Sequence, residues 1–387
     1  MKVLELFSGA GGATEGLLRA GFDVVRCIEW DRDADATAKA AGHPSVCGDV
    51  RDPAMYEGLP AIDLVWISPP CPDWSTAGLK EGAGGVRNGW PWAIDALDRL
   101  KIAGNPPKWV ILENVTGMLN HTGKCRCPYG PPEECAAGYL HRWILPRLRD
   151  RFTVVDFREL DAADYGVPQH RRRIFIVCGP VDYRWPEPTH ADPSGLGLFT
   201  RLMPWVGVRA AIGIVGVLDA QRNSAAHPGQ ERPITTDEPC FPIGTKGNQI
   251  LRDASGVRRL TAAETAILQG FPAEYPWRGT WTSIYRQIGN AVPPPVAETL
   301  ARALPKPGPV RWVRLLKGCG EPKRSWIEYQ LRSMGIPAHR GVDSALEVHP
   351  SDEYAALEFL LGPFEYADDT VAGAPDDHPA FFGRDAR

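Results

Sequence analysis

The stretch around Cys71 combines a reactive side chain with a stiff backbone. An apolar run of strand length, Asp63–Trp66, leads into Ile67–Ser75, which reads ISPPCPDWS. Its two prolines cannot donate to a β ladder, so they end the strand just before the cysteine. A thiol at that point lies where open α/β sheets place their ligands and their chemistry. Taken alone, Cys71 is better interpreted as a small buried hydrophobic residue, as most free cysteines are, so the rest of the chain must decide.

A carboxylate follows a second apolar strand. Trp109–Leu112 has the character of a buried strand and is followed directly by Glu113. Burial at that point would raise the pKa of the carboxyl group, which would let it donate a proton near neutral pH. The other interpretation is an ordinary helix cap.

A basic cluster precedes a third apolar strand. The residues leading into the strand Ile174–Cys178 read DYGVPQHRRR. Because side chains alternate along extended backbone, Gln169, Arg171 and Arg173 are predicted to share one face. That face could hold a base or phosphates, and a solvated charge cluster is the alternative.

The first residues have the pattern of a nucleotide-type cofactor site. The strand Val3–Phe7, the turn Ser8–Gly12 and the helix Ala13–Ala20 follow one another. Glycines let the backbone approach a ligand, and the start of the helix offers free N–H groups. Many glycine turns merely connect two elements, so this signal is weak by itself.

Two further strand ends carry acids. The strand Asp23–Ile28 ends in Glu29-Trp30-Asp31, where α/β cofactor folds bind ribose hydroxyls. Trp30 could pack flat on an adenine, although a core tryptophan and a helix-capping Asp31 are the simpler interpretations. Asp49, after a short strand near Val46, could accept from an adenine amino group or could hold a turn. Together the three strand ends favour a cofactor site.

Two loops carry weaker signals. The glycine-rich residues Thr76–Asn88, which include Arg87, are predicted to form a mobile loop beside the cysteine, acting either as a lid or as a plain surface loop. The segment His121–Cys135 has ligand types that suit zinc, but its spacing does not match paired CxxC motifs, which makes a metal site the less favoured interpretation. The candidate ligands are His121, Cys125, Cys127 and Cys135.

Composition sets broad limits. The chain has 387 residues, nine cysteines and a net charge of −4, which predicts two or three units and reduced thiols in a cytoplasm. No apolar run approaches the roughly 20 residues that span a bilayer. The N-terminus lacks the layout of a signal peptide. The charge gives no sign of a nucleic-acid partner, so such a partner would need a local basic surface.

Taken in order, these motifs resemble those of the DNA (cytosine-5) methyltransferase family. The resemblance covers about Met1 to Leu304, and the set as a whole is highly specific. The matching motifs are LFSGAGG at Leu6–Gly12, Glu29-Trp30-Asp31, Gly48-Asp49-Val50, PPCPDWS at Pro69–Ser75, Glu113-Asn114-Val115, Gln169 with Arg171 and Arg173, RRLTAAETAILQGFP at Arg258–Pro272, and QIGNAVPPPVA at Gln287–Ala297.

The resemblance implies a covalent mechanism on a cytosine of duplex DNA, with S-adenosylmethionine as the methyl donor. Cys71 is implied as the thiolate that adds to carbon 6, and Glu113 as the group that binds and protonates or stabilises the ring. Arg173 is implied to hold the base oxygen, and Arg171 to brace the same pocket. The implied DNA contacts are Ser75, Arg87 and Gln169. The implied cofactor residues are Phe7, Ser8, Gly9, Gly11, Gly12, Glu29, Trp30, Asp49, Val50, Pro69, Asn290 and Val292.

The chain departs from the family pattern at two positions. Pro72 follows the cysteine where many members have glutamine, which removes one side-chain contact to DNA but not the nucleophile. Glu5 stands where aspartate is usual, a mild change. The segment around Cys125–Cys135 and everything after Pro305 lie outside the resemblance.

The expected fold is a Rossmann-like α/β methyltransferase sheet with helices on both faces, a small irregular β-rich target-recognition domain and a small C-terminal α+β extension. The predicted boundaries are 1–180 and 258–304 for the catalytic domain, 181–257 for target recognition, 305–363 for an accessory region and 364–387 for a disordered acidic tail. The chain is expected to be a monomer in the cytoplasm of a bacterium or a phage-infected bacterial cell. Whether a cognate restriction endonuclease accompanies it is open.

Three alternatives compete with this interpretation. An RNA methyltransferase on the same scaffold would modify tRNA, although the substantial segment between Arg173 and Arg258 favours DNA. A catalytically silent DNA-binding relative would have no need to keep Cys71, Glu113 and both arginines. A dinucleotide-dependent oxidoreductase would explain the glycine turn but would leave the Pro-Cys and Glu-Asn-Val motifs without a role.

Overall fold

The computed structural model describes residues 1–70, 88–120, 136–196, 200–220, 233–247 and 249–305, with three further segments at 313–316, 338–340 and 346–348. The chain divides into two compact units, Met1–Pro305 and Lys306–Arg387. All the predicted site residues that the structure describes belong to the first unit.

A seven-stranded sheet is the centre of the first unit. Its strand order is β3-β2-β1-β4-β5-β7-β6. The pairs from β3 to β5 are parallel, whereas β7 is antiparallel to both β5 and β6. The strands are β1 (Lys2–Leu6), β2 (Asp23–Glu29), β3 (Ser45–Cys47), β4 (Leu64–Ile67), β5 (Trp109–Val115), β6 (Val154–Asp161) and β7 (Arg172–Gly179).

Both faces of this sheet are buried, which explains why its strands are nearly continuous apolar runs. Side chains alternate along β4, so that Val65 and Ile67 join one core cluster while Leu64 and Trp66 join the other. The first cluster includes helix α3 (Trp90–Ile102). The second includes helices α1 (Gly12–Arg19) and α9 (Pro294–Arg302). The predicted sheet with helices on both faces is confirmed.

Some predicted boundaries were wrong where chemistry is expected. Strand β5 continues to Val115 and β7 begins at Arg172, so Glu113 and Arg173 lie inside paired strands rather than beyond their ends. Residues 136–149 form two α-helical pieces, α4 (Ala136–Tyr139) and α5 (Leu145–Arg149), separated by a π-helical turn at Leu140–Ile144. Helix α2 spans Arg32–Ala40.

A four-stranded antiparallel sheet forms most of the β structure between β7 and the closing helices. Its order is β11-β10-β12-β13, and its apolar side chains share a core with helices α7 and α8, including Leu218, Leu251 and Ile288. Helix α8 was missed from the sequence, because its glycine and polar residues obscured the helical pattern. The remaining elements are β8 (His190–Ala191), β9 (Met203–Pro204), α6 (Val208–Ile212), β10 (Gly216–Ala220), β11 (Ile234–Thr235), β12 (Gln249–Asp253), β13 (Gly256–Arg259), α7 (Ala262–Leu268) and α8 (Trp281–Asn290).

The described part of the second unit is a three-stranded antiparallel sheet. Strand β16 (Leu346–Val348) lies between β14 (Val313–Leu316) and β15 (Ala338–Arg340). Most of the predicted accessory region and the whole predicted acidic tail lie outside the described residues. Among the helices that the structure describes, none has both the length and the apolar character needed to span a membrane.

Candidate active site

A cavity of about 1240 Å³ lies at the carboxyl ends of the parallel strands, which is where open α/β sheets bind ligands. It brings together residues from the beginning, middle and end of the first unit. One part of its wall comes from Ile243–Thr245, next to the small sheet. The predicted site residues that line it are Phe7, Ser8, Gly9, Glu29, Trp30, Asp49, Val50, Pro69, Glu113, Arg171, Arg173, Asn290 and Val292.

The two prolines that precede Cys71 are held at this cavity. Pro69 and Pro70 line it, and the Asn114 side-chain amide donates to the Pro69 carbonyl oxygen at 3.1 Å. The Gly89 N–H donates to the Pro70 carbonyl oxygen at 3.1 Å, so the chain leaves and returns at the same place. Cys71, Ser75 and Arg87, and the candidate metal ligands His121, Cys125, Cys127 and Cys135, lie outside the described residues.

Glu113 and Arg173 form a largely buried ion pair, with side-chain exposures of 12% and 18%. In the antiparallel register of β5 and β7, Arg173 lies opposite Val115, which makes Glu113 its diagonal neighbour on the same face. The Arg173 Nε donates to Glu113 Oε1 at 3.1 Å. Burial raises the pKa of Glu113 from its ordinary value, and the positive charges of Arg173 and Arg171 act against that shift. Burial therefore favours the neutral form of this carboxyl group, while the adjacent cations favour its charged form.

The Arg171 guanidinium is buried and ties three parts of the unit together. It donates to the carbonyl oxygens of Ile243 at 3.2 Å and Gly289 at 2.7 Å. Its Nε is buried and has no hydrogen-bond partner among the described residues, and Arg171 is one of the residues that line the cavity. An unpaired buried donor is costly, so this N–H is suited to a ligand acceptor.

Glu29 organises the glycine turn at the other end of the cavity. Its two carboxylate oxygens accept from the Gly9 N–H at 2.7 Å and the Asp31 N–H at 2.8 Å. Burial raises the pKa of Glu29, and these two N–H groups act against the shift. Phe7 adopts a left-handed φ of 57°, and the neighbouring Ser8 Oγ is buried and has no hydrogen-bond partner in the described part of the chain. A non-glycine residue at positive φ is uncommon, and it is one of the features found at ligand sites.

The structure bears on the alternatives that the sequence left open for Trp30, Asp31 and Asp49. Trp30 is 60% exposed at the cavity, so it is not a core residue. Asp31 caps helix α2, which agrees with the simpler interpretation of this residue. Asp49 does hold a turn, since its carboxylate accepts from the Arg51 N–H at 2.9 Å, and it also accepts from the Arg51 Nε at 3.0 Å. Residue Arg51, which stacks on Trp92, was not singled out from the sequence.

The structure places the side chain of Gln169, which was predicted to contact DNA, inside the protein. Its side chain is fully buried. Its amide group donates to Gln269 Oε1 at 2.5 Å and accepts from the Ile243 N–H at 2.8 Å, and Gln269 in turn donates to the Ala291 carbonyl oxygen at 2.7 Å. Gln169 and Gln269 therefore hold the chain at Ile243 against the C-terminal end of helix α8. No local pattern marks this role, because the partner lies 100 residues away.

Gly11 and Gly12, which were predicted to bind cofactor, lie outside the cavity lining. A Cβ at Gly11 would collide with His43, and one at Gly12 with the Val292 carbonyl oxygen. Their small size lets the turn pack against its neighbours, which is a structural requirement for glycine at both positions. Gly9, by contrast, lines the cavity and has no atom near the position of a Cβ.

Comparison with known proteins gives a consistent result. A family model described as C-5 cytosine-specific DNA methylase matches residues 1–197 and 216–306. The type II methyltransferase M.NgoMIV of Neisseria gonorrhoeae is 34% identical over 322 residues, which cover 78% of this chain and 96% of that relative. The type II methyltransferase M.NaeI of Lentzea aerocolonigenes is 32% identical over 427 residues, with 94% of each chain covered.

Solved structures show the same fold. The S. pombe Dnmt2 methyltransferase aligns with a TM-score of 0.55 and 19% identity, covering 79% of this chain and 98% of its own. A putative DNA modification methyltransferase encoded within an E. coli prophage aligns with a TM-score of 0.51 and 20% identity over 79% of this chain and 98% of its own.

Proposed function

This chain belongs to the family of C-5 cytosine-specific DNA methylases, and we propose that it transfers a methyl group from S-adenosylmethionine to carbon 5 of a cytosine in duplex DNA. The observation that carries this proposal is the single cavity at the strand ends. Its lining includes the glycine turn that Glu29 holds and the Glu113–Arg173 pair. It also includes the two prolines that precede Cys71 in the sequence.

The residues at the first end of the cavity suit the proposed cofactor. The Ser8 Oγ is a buried polar atom with no partner among the described residues, and exposed Trp30 offers an aromatic face in the same cavity. Glu29 keeps acceptor capacity after its two N–H bonds, which is the chemistry that recognises ribose hydroxyls. Asn290 and Val292 close the opposite wall. When bound there, S-adenosylmethionine would supply an electrophilic methyl group.

The residues at the second end suit a cytosine ring. The Cys71 thiolate adds to carbon 6 and breaks the aromaticity, which makes carbon 5 nucleophilic. Glu113, whose pKa is raised by burial, holds a proton at the ring nitrogen as negative charge builds there. The Arg171 Nε and the Arg173 guanidinium offer donors to the ring oxygen. After methylation, loss of the carbon 5 proton restores the double bond and expels the thiolate.

The target cytosine must leave the base stack to reach a cavity of this kind. Extruding a base costs a few kcal/mol, which contacts to the surrounding DNA must offset. We assign those contacts to the residues after Pro70 and to the segment 181–257, part of which packs beside the cavity through Ile243. Because the chain is net negative, these contacts rely on local basic residues.

A mechanism-based trap tests this proposal. Bisulfite sequencing of DNA from cells that express the protein first identifies the methylated site. A duplex with 5-fluorocytosine at that site should then form a complex with the protein that survives denaturing electrophoresis, because fluorine cannot leave carbon 5 as a cation. The trap should require S-adenosylmethionine, since methylation removes the reversible route back.

Two cysteine variants make the test specific. Cys71→Ser should abolish the trap, because a serine hydroxyl is scarcely ionised near neutral pH. Cys47→Ser should leave it intact, although Cys47 is an exposed thiol and therefore a chemically available one. Trapping by Cys71→Ser would refute the mechanism, and methyl transfer to tRNA in place of duplex DNA would refute the substrate.

A further inference from the structure

Glu5 is a buried acid in the wall of the cavity. It lies on β1 between Cys27 of β2 and Trp66 of β4, and its side chain is almost fully buried. Its Oε2 accepts from the Thr14 hydroxyl and lies 3.9 Å from the Cys27 thiol. Glu5 is also one of the residues that line the cavity, with an exposure of 1%.

The surroundings of Glu5 contain acids and neutral groups. The titratable groups that face it are Cys27 and Glu29 from β2 and Tyr275 from the closing part of the unit. Burial raises the pKa of Glu5 to about 8, and the nearby Glu29 adds to the shift, while the Thr14 hydroxyl opposes it. No cationic side chain contributes to its electrostatic environment among the described residues. Two buried acids thus share one cavity wall without a positive charge between them.

We propose that Glu5 carries a proton when the cavity holds no ligand and releases it when a positively charged group of the cofactor binds beside it. The inference rests on the proposed function and extends it, because it makes the charge of the cofactor a determinant of its affinity. A buried carboxylate is costly without a cationic partner, and a bound cation would supply that partner.

The charge can come from either of two groups on S-adenosylmethionine, its sulfonium or its α-ammonium. Three ligands distinguish them. S-adenosylmethionine has both charges, S-adenosylhomocysteine keeps only the ammonium, and 5′-methylthioadenosine has neither. If the sulfonium is the partner, Glu5 also favours the methyl donor over the demethylated product.

The sign of the pH effect follows from linkage. An acid with a pKa of about 8 is still largely protonated at neutral pH, so a cation that binds must displace the proton. Affinity for the charged ligand should therefore rise with pH, by up to about tenfold per unit below that pKa, and level off above it. The neutral ligand should show no such dependence.

Calorimetric titration of the full-length protein in buffers of different ionisation enthalpy measures the protons released. Near neutral pH, S-adenosylmethionine should release close to one proton, and 5′-methylthioadenosine should release none. S-adenosylhomocysteine should match the former if the ammonium is the partner, and the latter if the sulfonium is.

Variants assign the proton to a residue. Glu5→Gln should abolish the release and flatten the pH dependence while still binding 5′-methylthioadenosine, which also shows that the variant is folded. Glu5→Asp keeps an ionisable group and should retain the release in part. Glu15→Gln is the matched control, because Glu15 lies on the adjacent helix outside the cavity lining and its pKa is already lowered, chiefly by His43. It should leave the release unchanged.

The outcomes separate this inference from the proposed function. If none of the three ligands binds the wild-type protein, the cofactor assignment fails. If S-adenosylmethionine binds without releasing a proton, or if Glu5→Gln releases as much as the wild type, the role of Glu5 is refuted while the methyltransferase assignment stands.

Discussion

Glu113 and Arg173 illustrate how two ordinary charged residues become a site through burial and register. Each lies inside a strand, with its charge removed from bulk water and satisfied by the other at 3.1 Å. Truncating one member of such a pair leaves the other charge uncompensated. Replacing Glu113 with a neutral residue of the same shape therefore tests its chemical role with less loss of stability.

Glu113→Gln should lower the rate of methyl transfer by about 10²-fold or more, because the amide cannot hold and release a proton at the ring. Binding of S-adenosylmethionine should change little, since the residues that organise the cofactor end surround Glu29. Single-turnover methylation and calorimetry measure the two effects separately. A variant that lost cofactor affinity but kept its rate would place Glu113 at the wrong end of the cavity.

Arg171 and its neighbour Arg172 form a matched pair for stability. Arg171→Met would leave the Ile243 and Gly289 carbonyl oxygens without their donor, which should cost about 3 kcal/mol of unfolding free energy. Arg172→Met removes an exposed side chain whose nearest acid, Glu159, is 3.5 Å away, and should cost less than about 1 kcal/mol. Urea unfolding of both variants checks the difference, and equal costs would contradict the bridging role of Arg171.

At the level of elements, the packing of α1 against α9 joins the first helix of the unit to its last. Gly16 lies at this contact, where a Cβ would meet the Pro294 carbonyl oxygen and Ala297. Helix α1 follows the turn Ser8–Gly12, and helix α9 follows Val292. The contact between the helices therefore also positions two parts of the cavity wall relative to each other. The two helices can approach this closely because residue 16 is a glycine and has no side chain.

Gly16→Ala should destabilise the protein by about 1–3 kcal/mol, since the backbone of α9 would have to move. Gly195→Ala is the control, because no atom of the described residues lies within 4 Å of the position that its Cβ would take. It should change the unfolding free energy by no more than about 0.5 kcal/mol. Thermal and urea unfolding distinguish the two, and an unchanged Gly16→Ala variant would mean that the two helices can separate at little cost.

At the scale of the whole molecule, the compact unit and the family match end at nearly the same place. The first unit closes at Pro305, and the match closes at residue 306. The similarity to M.NaeI extends further, since it covers 94% of this chain. The alignment with this relative thus extends into the second unit, although the motifs that the sequence analysis identified lie before it.

Removal of all residues after Pro305 should leave methyl transfer measurable. A second truncation that also removes α9 should unfold the protein, because Val296, Ala297 and Leu300 belong to the core. Circular dichroism and incorporation of labelled methyl groups follow both. Complete inactivity of the first truncation in a folded state would show that the second unit is part of the active enzyme.

The segment 181–257 should set the methylated sequence. The family match is interrupted between residues 197 and 216, inside this segment. Replacing the segment with that of a type II relative, while keeping the apolar side chains that pack on α7 and α8, should change the site found by bisulfite sequencing. A chimera that is active on the original site would refute this assignment.

The sequence alone determined the chemistry-bearing residues and most of the sheet. Apolar strands, proline stops and glycine turns depend on neighbouring residues, so local patterns were enough to place β1, β2, β4 and the cofactor turn. The order of the motifs then predicted the family. This is why the predicted residues from Phe7 to Val292 could be named before their contacts were known.

The tertiary structure decided which of these residues meet and which are buried. Glu113 and Arg173 become partners through the antiparallel pairing of β5 with β7. Gln169 is buried and hydrogen-bonded because Gln269 and Ile243, which come much later in the chain, pack against it. Glycines of one turn divide into Gly9 at the cavity and Gly11 against His43. Burial and long-range contact depend on the packing of distant segments, and residue type and spacing do not encode them locally.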